Sequence, residues 1–474
     1  MQPAMVNNFL QNHQFQNTQF MLPKKQLVTY ALYALIPLAL LHYLLFNPVA
    51  TAKKPPVLVP QVREEAAVII SSHHEHVKVN AKQLPAHPLD QGDEGLEKNA
   101  QAGHVTPPPP QPPPPPQPPP QPPCDYSDGE WVQDSRPPLY NGTSCATIKD
   151  GQNCMAHGRP DTGYLYWRWQ PRRCDLPAFS PEALLGWLRN KHLAFVGDSL
   201  ARNQAESLLC LLSSRSPPEL VYRDGEENKF RRWVFREHNA TVSIFWSPLL
   251  VKVAEKAEHA GVRHNNVFLD SFDERWMSQL GTLDAAVLSV GHWYLIPGIY
   301  HLGGEVVGCH DCAEFNHTEI PFFGMFKKAV HRTLAEINRR HVAGADKNRN
   351  TVIAFTTFSP AHFEGDWDKA GACAKTRPYK NGEKESGYTE AEMRKTVVEE
   401  VAAAAAAAGP GLRFAALDVT ALANLRPDAH PGPYMRSDPF SGGAGARVQN
   451  DCVHWCLPGA IDTFNEILLQ TITS

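Results

Sequence analysis

Gly197-Asp198-Ser199-Leu200, near the middle of the chain, and Asp451-Cys452-Val453-His454, near its end, together supply a serine, a histidine and a carboxylate. Those three groups make a hydroxyl nucleophilic enough for acyl transfer. Imidazole titrates near neutrality and takes the serine proton, while a carboxylate orients the ring and stabilises its protonated form. The assignment is Ser199 as nucleophile, His454 as base and Asp451 as its orienting group. A developing oxyanion needs donors: the backbone N–H of Ser199 at a helix start, and Arg202 and Asn203 one turn on, are candidates. Gly291, His292 and Trp293 follow a strand end and are candidates for oxyanion or substrate contacts on the same face. Each motif alone is weak, because Gly-Asp-Ser is common, the chain has 21 histidines, and Asp198 is equally a helix cap.

The two motifs lie far apart in sequence, so a folded domain must join them. Leu193–Val196 reads as a short buried strand, Gly197–Ser199 as a turn, and Leu200 to Leu212 as a helix. In an α/β sheet reactive groups collect at the carboxyl ends of strands, where this serine falls. Further strand-like runs are Val242–Trp246, Ala285–Val290, Val352–Thr356 and Phe414–Val419, with helical stretches at Phe326–Arg340 and Thr389–Ala408 between them. The second helix begins with a capping-box pattern, Thr389 with Glu392, and stops at Gly409-Pro410. Its alanine run reads as tolerated surface or packing. Alternating strands and helices predict an α/β domain, a mainly parallel sheet with helices on both faces.

Net charge is −4 over 474 residues, which excludes a nucleic-acid binder driven by phosphate attraction. All ten cysteines (Cys124, Cys145, Cys154, Cys174, Cys210, Cys309, Cys312, Cys373, Cys452 and Cys456) lie beyond the first quarter of the chain, as a disulfide-bonded domain in an oxidising compartment requires. Their pairing is not readable from spacing. The glycosylation sequons at Asn141, Asn239 and Asn316 fall in the same region. Cys309-His310-Asp311-Cys312 has metal-site spacing, but that compartment favours a disulfide over zinc. The cysteines flanking His454 are expected to clamp its loop.

Leu27 to Phe46 carries no charge and is long enough for a hydrocarbon core of ~30 Å. The domain plan is therefore a cytosolic tail (1–26), a signal anchor (27–46), a stalk (47–123) ending in a proline-rich tract, a cysteine-rich N-terminal subdomain (124–178) and a catalytic domain (179–474). A cleaved signal peptide ending at Ala50-Thr51-Ala52 is the competing reading of the apolar run. In the cysteine-rich collar, Trp167 and Trp169 either pack on the main body or stack on sugar rings with nearby arginines.

These residues resemble the plant trichome birefringence-like family, which pairs a PMR5N-type subdomain with a PC-esterase domain. The resemblance is carried by Gly197 to Gln204, Asp451 to Gly459, the collar from Cys124 to Pro177, Gly291-His292-Trp293, Cys309–Cys312, His362–Trp367 and His430–Tyr434. It implies an SGNH/GDSL-esterase-like fold with Ser199, Asp451 and His454 as the triad. It also implies a single-pass type II Golgi membrane protein that O-acetylates cell-wall polysaccharide by double displacement. The acetyl donor would be acetyl-CoA or another activated carrier acting as co-substrate, with no bound cofactor or metal and a Golgi acetyl-donor transporter as a partner. The helix after Ser199 looks closest to the xyloglucan branch; xylan and mannan members share most motifs. One departure concerns the oxyanion hole. SGNH hydrolases carry a Gly-x-Asn block where this chain has Ser289-Val290-Gly291-His292, leaving Arg202 or Asn203 to substitute. A carbohydrate acetylesterase with the same triad, and a non-catalytic glycan binder, are the two other readings.

Overall fold

The structure is a computed structural model and describes residues 124–225, 229–256, 263–344, 349–443 and 446–474. The expected cytosolic tail, anchor and stalk lie outside these residues. Among the described residues no helix is long and apolar enough to cross a membrane.

The strands are β1 (Gly129–Gln133), β2 (Trp167–Pro171), β3 (His192–Gly197), β4 (Glu219–Asp224), β5 (Phe230–Phe235), β6 (Ala240–Trp246), β7 (Val251–Ala254), β8 (Asn265–Phe272), β9 (Ala285–Ser289), β10 (Gly298–Leu302), β11 (Glu305–His310), β12 (Thr351–Thr356) and β13 (Leu412–Leu417). The main sheet has the order β13-β12-β9-β3-β6-β5-β4. Its first five strands pair in parallel, and β5 and β4 add an antiparallel edge. A smaller sheet, β11-β10-β8-β7, and the collar pair β1–β2 complete the strands.

Strand β3 explains why the sheet needs two covered faces. Leu193 and Phe195 join one apolar cluster, while Ala194 and Val196 join the other. A strand buried on both sides reads as a continuous apolar run, and helices must cover it. The main helices are α1 (Pro181–Trp187), α2 (Ser199–Ser213), α3 (Phe322–Ala343), α4 (Tyr388–Ala406) and α5 (Asp462–Thr473). Leu208, Leu212, Phe464 and Leu468 from α2 and α5 cover one face together with collar aromatics. Phe326, Val330, Met393 and Val397 from α3 and α4 cover the other. The mainly parallel α/β architecture is as expected.

Two local expectations are corrected. Helix α4 starts at Tyr388 behind Gly387 and has no side-chain cap, so Thr389 lies inside the first turn and the capping box does not form. Strand β13 begins at Leu412, ahead of the expected Phe414, because Leu412 to Leu417 pair in register with Thr351 to Thr356. The alanine run is largely exposed.

Five disulfides join Cys124–Cys174, Cys145–Cys210, Cys154–Cys456, Cys309–Cys312 and Cys373–Cys452. The bonded Cys309 and Cys312 sulfurs are not thiolates able to take zinc. In the collar, Trp169 is buried edge-on against Trp131 at 5.5 Å and donates to the Tyr126 carbonyl. It is a packing residue and offers no face to a sugar. Trp167 is half-buried against the same core. Asn141, Asn239 and Asn316 are all exposed.

Candidate active site

The position of Ser199 begins with Gly197, whose φ is +154°. A Cβ there would lie 1.8 Å from the Ser289 carbonyl oxygen, so glycine alone lets β3 turn this close to β9. The next residue, Asp198, donates its N–H to that same carbonyl at 3.1 Å. Its carboxylate then caps α2, accepting from the Leu200 N–H at 2.9 Å, and also accepts from the Gly291 N–H at 3.1 Å. Burial pushes Asp198 up to about 6, against these hydrogen bonds and the charge of His454. Ser199 follows as the first residue of α2, only 7% exposed.

On the second motif, Asp451 Oδ2 accepts from His454 Nδ1 at 2.8 Å. The other oxygen, Oδ1, accepts from the backbone N–H groups of Val453 and His454 at 3.0 and 2.9 Å. A carboxylate that only accepts fixes the His454 proton on Nδ1 and leaves Nε2 as the basic nitrogen. The loop itself is tied from several sides. Gly432 and Asp451 exchange two backbone hydrogen bonds, Cys452 is bonded to Cys373, and Cys456 to Cys154 of the collar. The Leu457 N–H donates to the Gln152 carbonyl, and Arg159 Nη1 donates to the His430 carbonyl at 2.7 Å. The collar thus holds the His454 loop.

The motifs converge through α2. Asn203, one turn after Ser199, accepts from the Trp455 N–H at 2.8 Å and donates to the Trp455 carbonyl at 3.3 Å. Trp455 follows His454, and the charge of His454 acts on Asp198, which precedes Ser199. The serine helix and the histidine loop are therefore fastened beside each other.

The remaining candidates separate by their partners. Asn203 has its amide oxygen and one N–H on Trp455, so it braces the His454 loop, and the second N–H of its Nδ2 keeps it a candidate oxyanion donor. The Gly291 N–H is likewise taken, by Asp198. His292 gives its Nε2 proton to the Ser359 carbonyl at 2.8 Å, and burial lowers it to about 4, so it is neutral with no second N–H for an oxyanion. Trp293 packs edge-on against Trp246 at 5.3 Å. Arg202 is buried with its guanidinium 5.8 Å from the Trp246 ring centre, on the same turn as Ser199. It remains the candidate cation for the oxyanion. Sequence reasoning left Trp246 as a strand end and gave no role to His362 or His430, although both lie in the motifs quoted for the resemblance.

A buried serine at the helix that follows the central strand of a parallel sheet, beside an Asp-x-x-His loop, defines an acyl-transfer domain of SGNH/GDSL type. Residues 176–471 match PC-Esterase, the "GDSL/SGNH-like Acyl-Esterase family found in Pmr5 and Cas1p", and residues 122–175 match PMR5N, the "PMR5 N terminal Domain". The chain belongs to the PC-Esterase family. It is 58% identical over 352 residues to Xyloglucan O-acetyltransferase 1 of Populus trichocarpa, covering 74% of this chain and 81% of that one. Xyloglucan O-acetyltransferase 1 of Arabidopsis thaliana is 53% identical over 350 residues, covering 74% and 80%. Protein trichome birefringence-like 25 of Arabidopsis thaliana is 42% identical over 359 residues, covering 74% and 76%.

Proposed function

We propose that the chain is a xyloglucan O-acetyltransferase working through an acetyl-serine intermediate. The observation that carries this reading is the Asp451–His454 hydrogen bond on a loop fastened by Asn203 to the helix of Ser199; the similarity to xyloglucan O-acetyltransferases supports the acceptor. His454 Nε2 takes the Ser199 proton as Oγ attacks the donor's acetyl carbonyl, and returns it to the leaving group. A sugar hydroxyl then gives its proton to Nε2, attacks the acetyl-serine and carries the acetyl group away, while Nε2 passes that proton to the departing Oγ and so restores Ser199. Asp451 keeps the ring in the productive tautomer throughout. Acetyl-CoA or another activated acetyl carrier serves as donor, delivered across the membrane by a transporter. The charge-free run at 27–46 anchors the chain as a type II protein with its head in the Golgi lumen.

The test uses the full chain with xyloglucan oligosaccharides and acetyl-CoA, with 4-nitrophenyl acetate as a second donor probe. Oligosaccharide mass rising in acetyl steps, abolished in Ser199→Ala, is the expected result. Deacetylation of pre-acetylated oligosaccharide with no transfer would make the protein a carbohydrate acetylesterase instead.

A further inference from the structure

Behind the His454 loop two further histidines form an unbroken chain between two backbone carbonyls. His362 Nε2 lies 2.9 Å from the Asn424 carbonyl oxygen. His362 Nδ1 lies 2.8 Å from His430 Nε2. His430 Nδ1 lies 2.7 Å from the carbonyl oxygen of His454 itself. The His430 ring also stacks on Trp455, with centroids 4.2 Å apart and planes inclined by 21°. Both histidines are buried, at 5% and 3% exposure, so bulk solvent does not reach them to replace a missing bond.

Counting protons along this chain gives a definite charge. A carbonyl oxygen only accepts, so His362 Nε2 and His430 Nδ1 must each carry a hydrogen. The central N···N contact needs a third, on one ring or the other. Two neutral imidazoles have two N–H groups between them, one too few. Without the third proton, two lone pairs face each other at one of the three junctions, and that junction must open.

We propose that His362 and His430 hold one excess proton between them, and that the bridge it completes makes His430 a positioning residue for the base His454. This rests on the acyl-transfer reading of Ser199 and His454. The three-bond chain fixes the carbonyl of His454, while Asp451 fixes its ring and Asn203 fixes the main chain of Trp455. His430 is thus one of three anchors that aim Nε2.

Burial opposes the shared charge and pushes each ring, taken alone, below the ordinary histidine range. The hydrogen bonds oppose burial, since discharging the pair leaves a repulsive contact that no solvent can relieve. Asp451 and Glu364 favour the proton; Lys384 and a protonated His454 disfavour it. Arg159 reaches the His430 carbonyl, and the Tyr379 ring lies 6.5 Å from His362. The proton belongs to the pair, which titrates as a unit. The bridge is complete below the pair's pKa and broken above it, so it supplies an alkaline limit to activity.

Two substitutions separate the roles. In His430→Ala the anchor on His454 is gone, and kcat should fall by roughly 100-fold with KM little changed, the scale expected when a reacting group is misaimed. In His362→Asn the amide nitrogen replaces Nδ1 and donates to a neutral His430 without any excess proton. That variant should keep kcat at low pH and lose the alkaline fall. Nitrogen-15 NMR of the full chain with labelled histidine supplies an independent count: three protonated nitrogens among the four of the pair are expected in the wild type at its activity optimum. Two protonated nitrogens there, a His362→Asn profile superimposable on wild type, or unchanged kcat in His430→Ala would each overturn the proposal. The NMR count does not depend on turnover, so a failed Ser199 assignment and a failed proton bridge give different results.

Discussion

At the scale of single residues, the site is organised by which atoms can donate. Asp451 accepts three hydrogen bonds, two from the backbone and one from His454 Nδ1. Asp451→Asn tests this directly. The amide oxygen can keep the two backbone bonds, so the loop stays closed, but the amide nitrogen then faces Nδ1 and forces the imidazole proton onto Nε2. We expect kcat for acetyl transfer to fall by roughly 10³- to 10⁴-fold with KM and thermal stability little changed; wild-type kcat would remove Asp451 from the base's machinery. The Asp451–His454 pair was legible in the sequence because an Asp-x-x-His spacing lets the carboxylate reach Nδ1, and Ser199 because it opens a helix directly after a buried strand. Asn203 was visible as a polar residue one turn on, but its bracing of Trp455 was not. Which backbone an amide braces depends on what the fold lays against it, here Trp455. The same holds for His430, whose partners come from three separate stretches of chain.

Among elements, the junction of β3 with α2 decides where the serine stands. Gly197 and Gly291 both leave no room for a side chain, but for different reasons. A Cβ on Gly197 meets the Ser289 backbone oxygen at 1.8 Å, whereas one on Gly291 meets the Phe358 ring at 2.5 Å. Backbone in a paired strand cannot step aside, and a ring can shift. Gly197→Ala should therefore cost at least about 4 kcal/mol, seen as a large drop in Tm or loss of soluble protein, and Gly291→Ala distinctly less. Equal effects would show that the β3–β9 approach is not what demands the glycine. The central strands and α2 were readable because burial on both faces leaves continuous apolar runs. The edge strand β4 is exposed throughout, and β5 mixes arginines with aromatics, so neither carries such a run. The smaller sheet stayed hidden for the same reason. Helix α5 follows the His454 loop closely, without a side-chain cap to mark its start.

For the described molecule as a whole, the collar is part of the catalytic body and not an appendage. Trp131 donates to the Leu422 carbonyl, Tyr140 to Asp462 at 2.8 Å, and the Cys154–Cys456 disulfide spans a sequence separation of 302 residues. This seam buries carboxylates. On α5, burial raises Asp462 to about 6 and Glu466 to about 7, the latter despite the opposing charges of Arg136 and Arg168. Glu466 lines a cavity of about 170 Å³ between α5 and the collar, with Arg136, Trp167 and Arg168. A carboxyl group whose folded-state pKa is raised binds more protons folded than unfolded. Its contribution is therefore complete below its ordinary value of 4.5 and is lost as pH rises to about 7. Glu466→Gln cannot ionise and escapes that loss. The variant's Tm should gain steadily on the wild type between those two values and hold a constant lead above them, up to roughly 3 kcal/mol in stability. His192 and His292, both lowered to about 4 by burial, change stability in the opposite direction over part of this range. They are common to both proteins and cancel in the difference. A Tm difference independent of pH would mean that Glu466 is solvated through the cavity and that the seam is open to water.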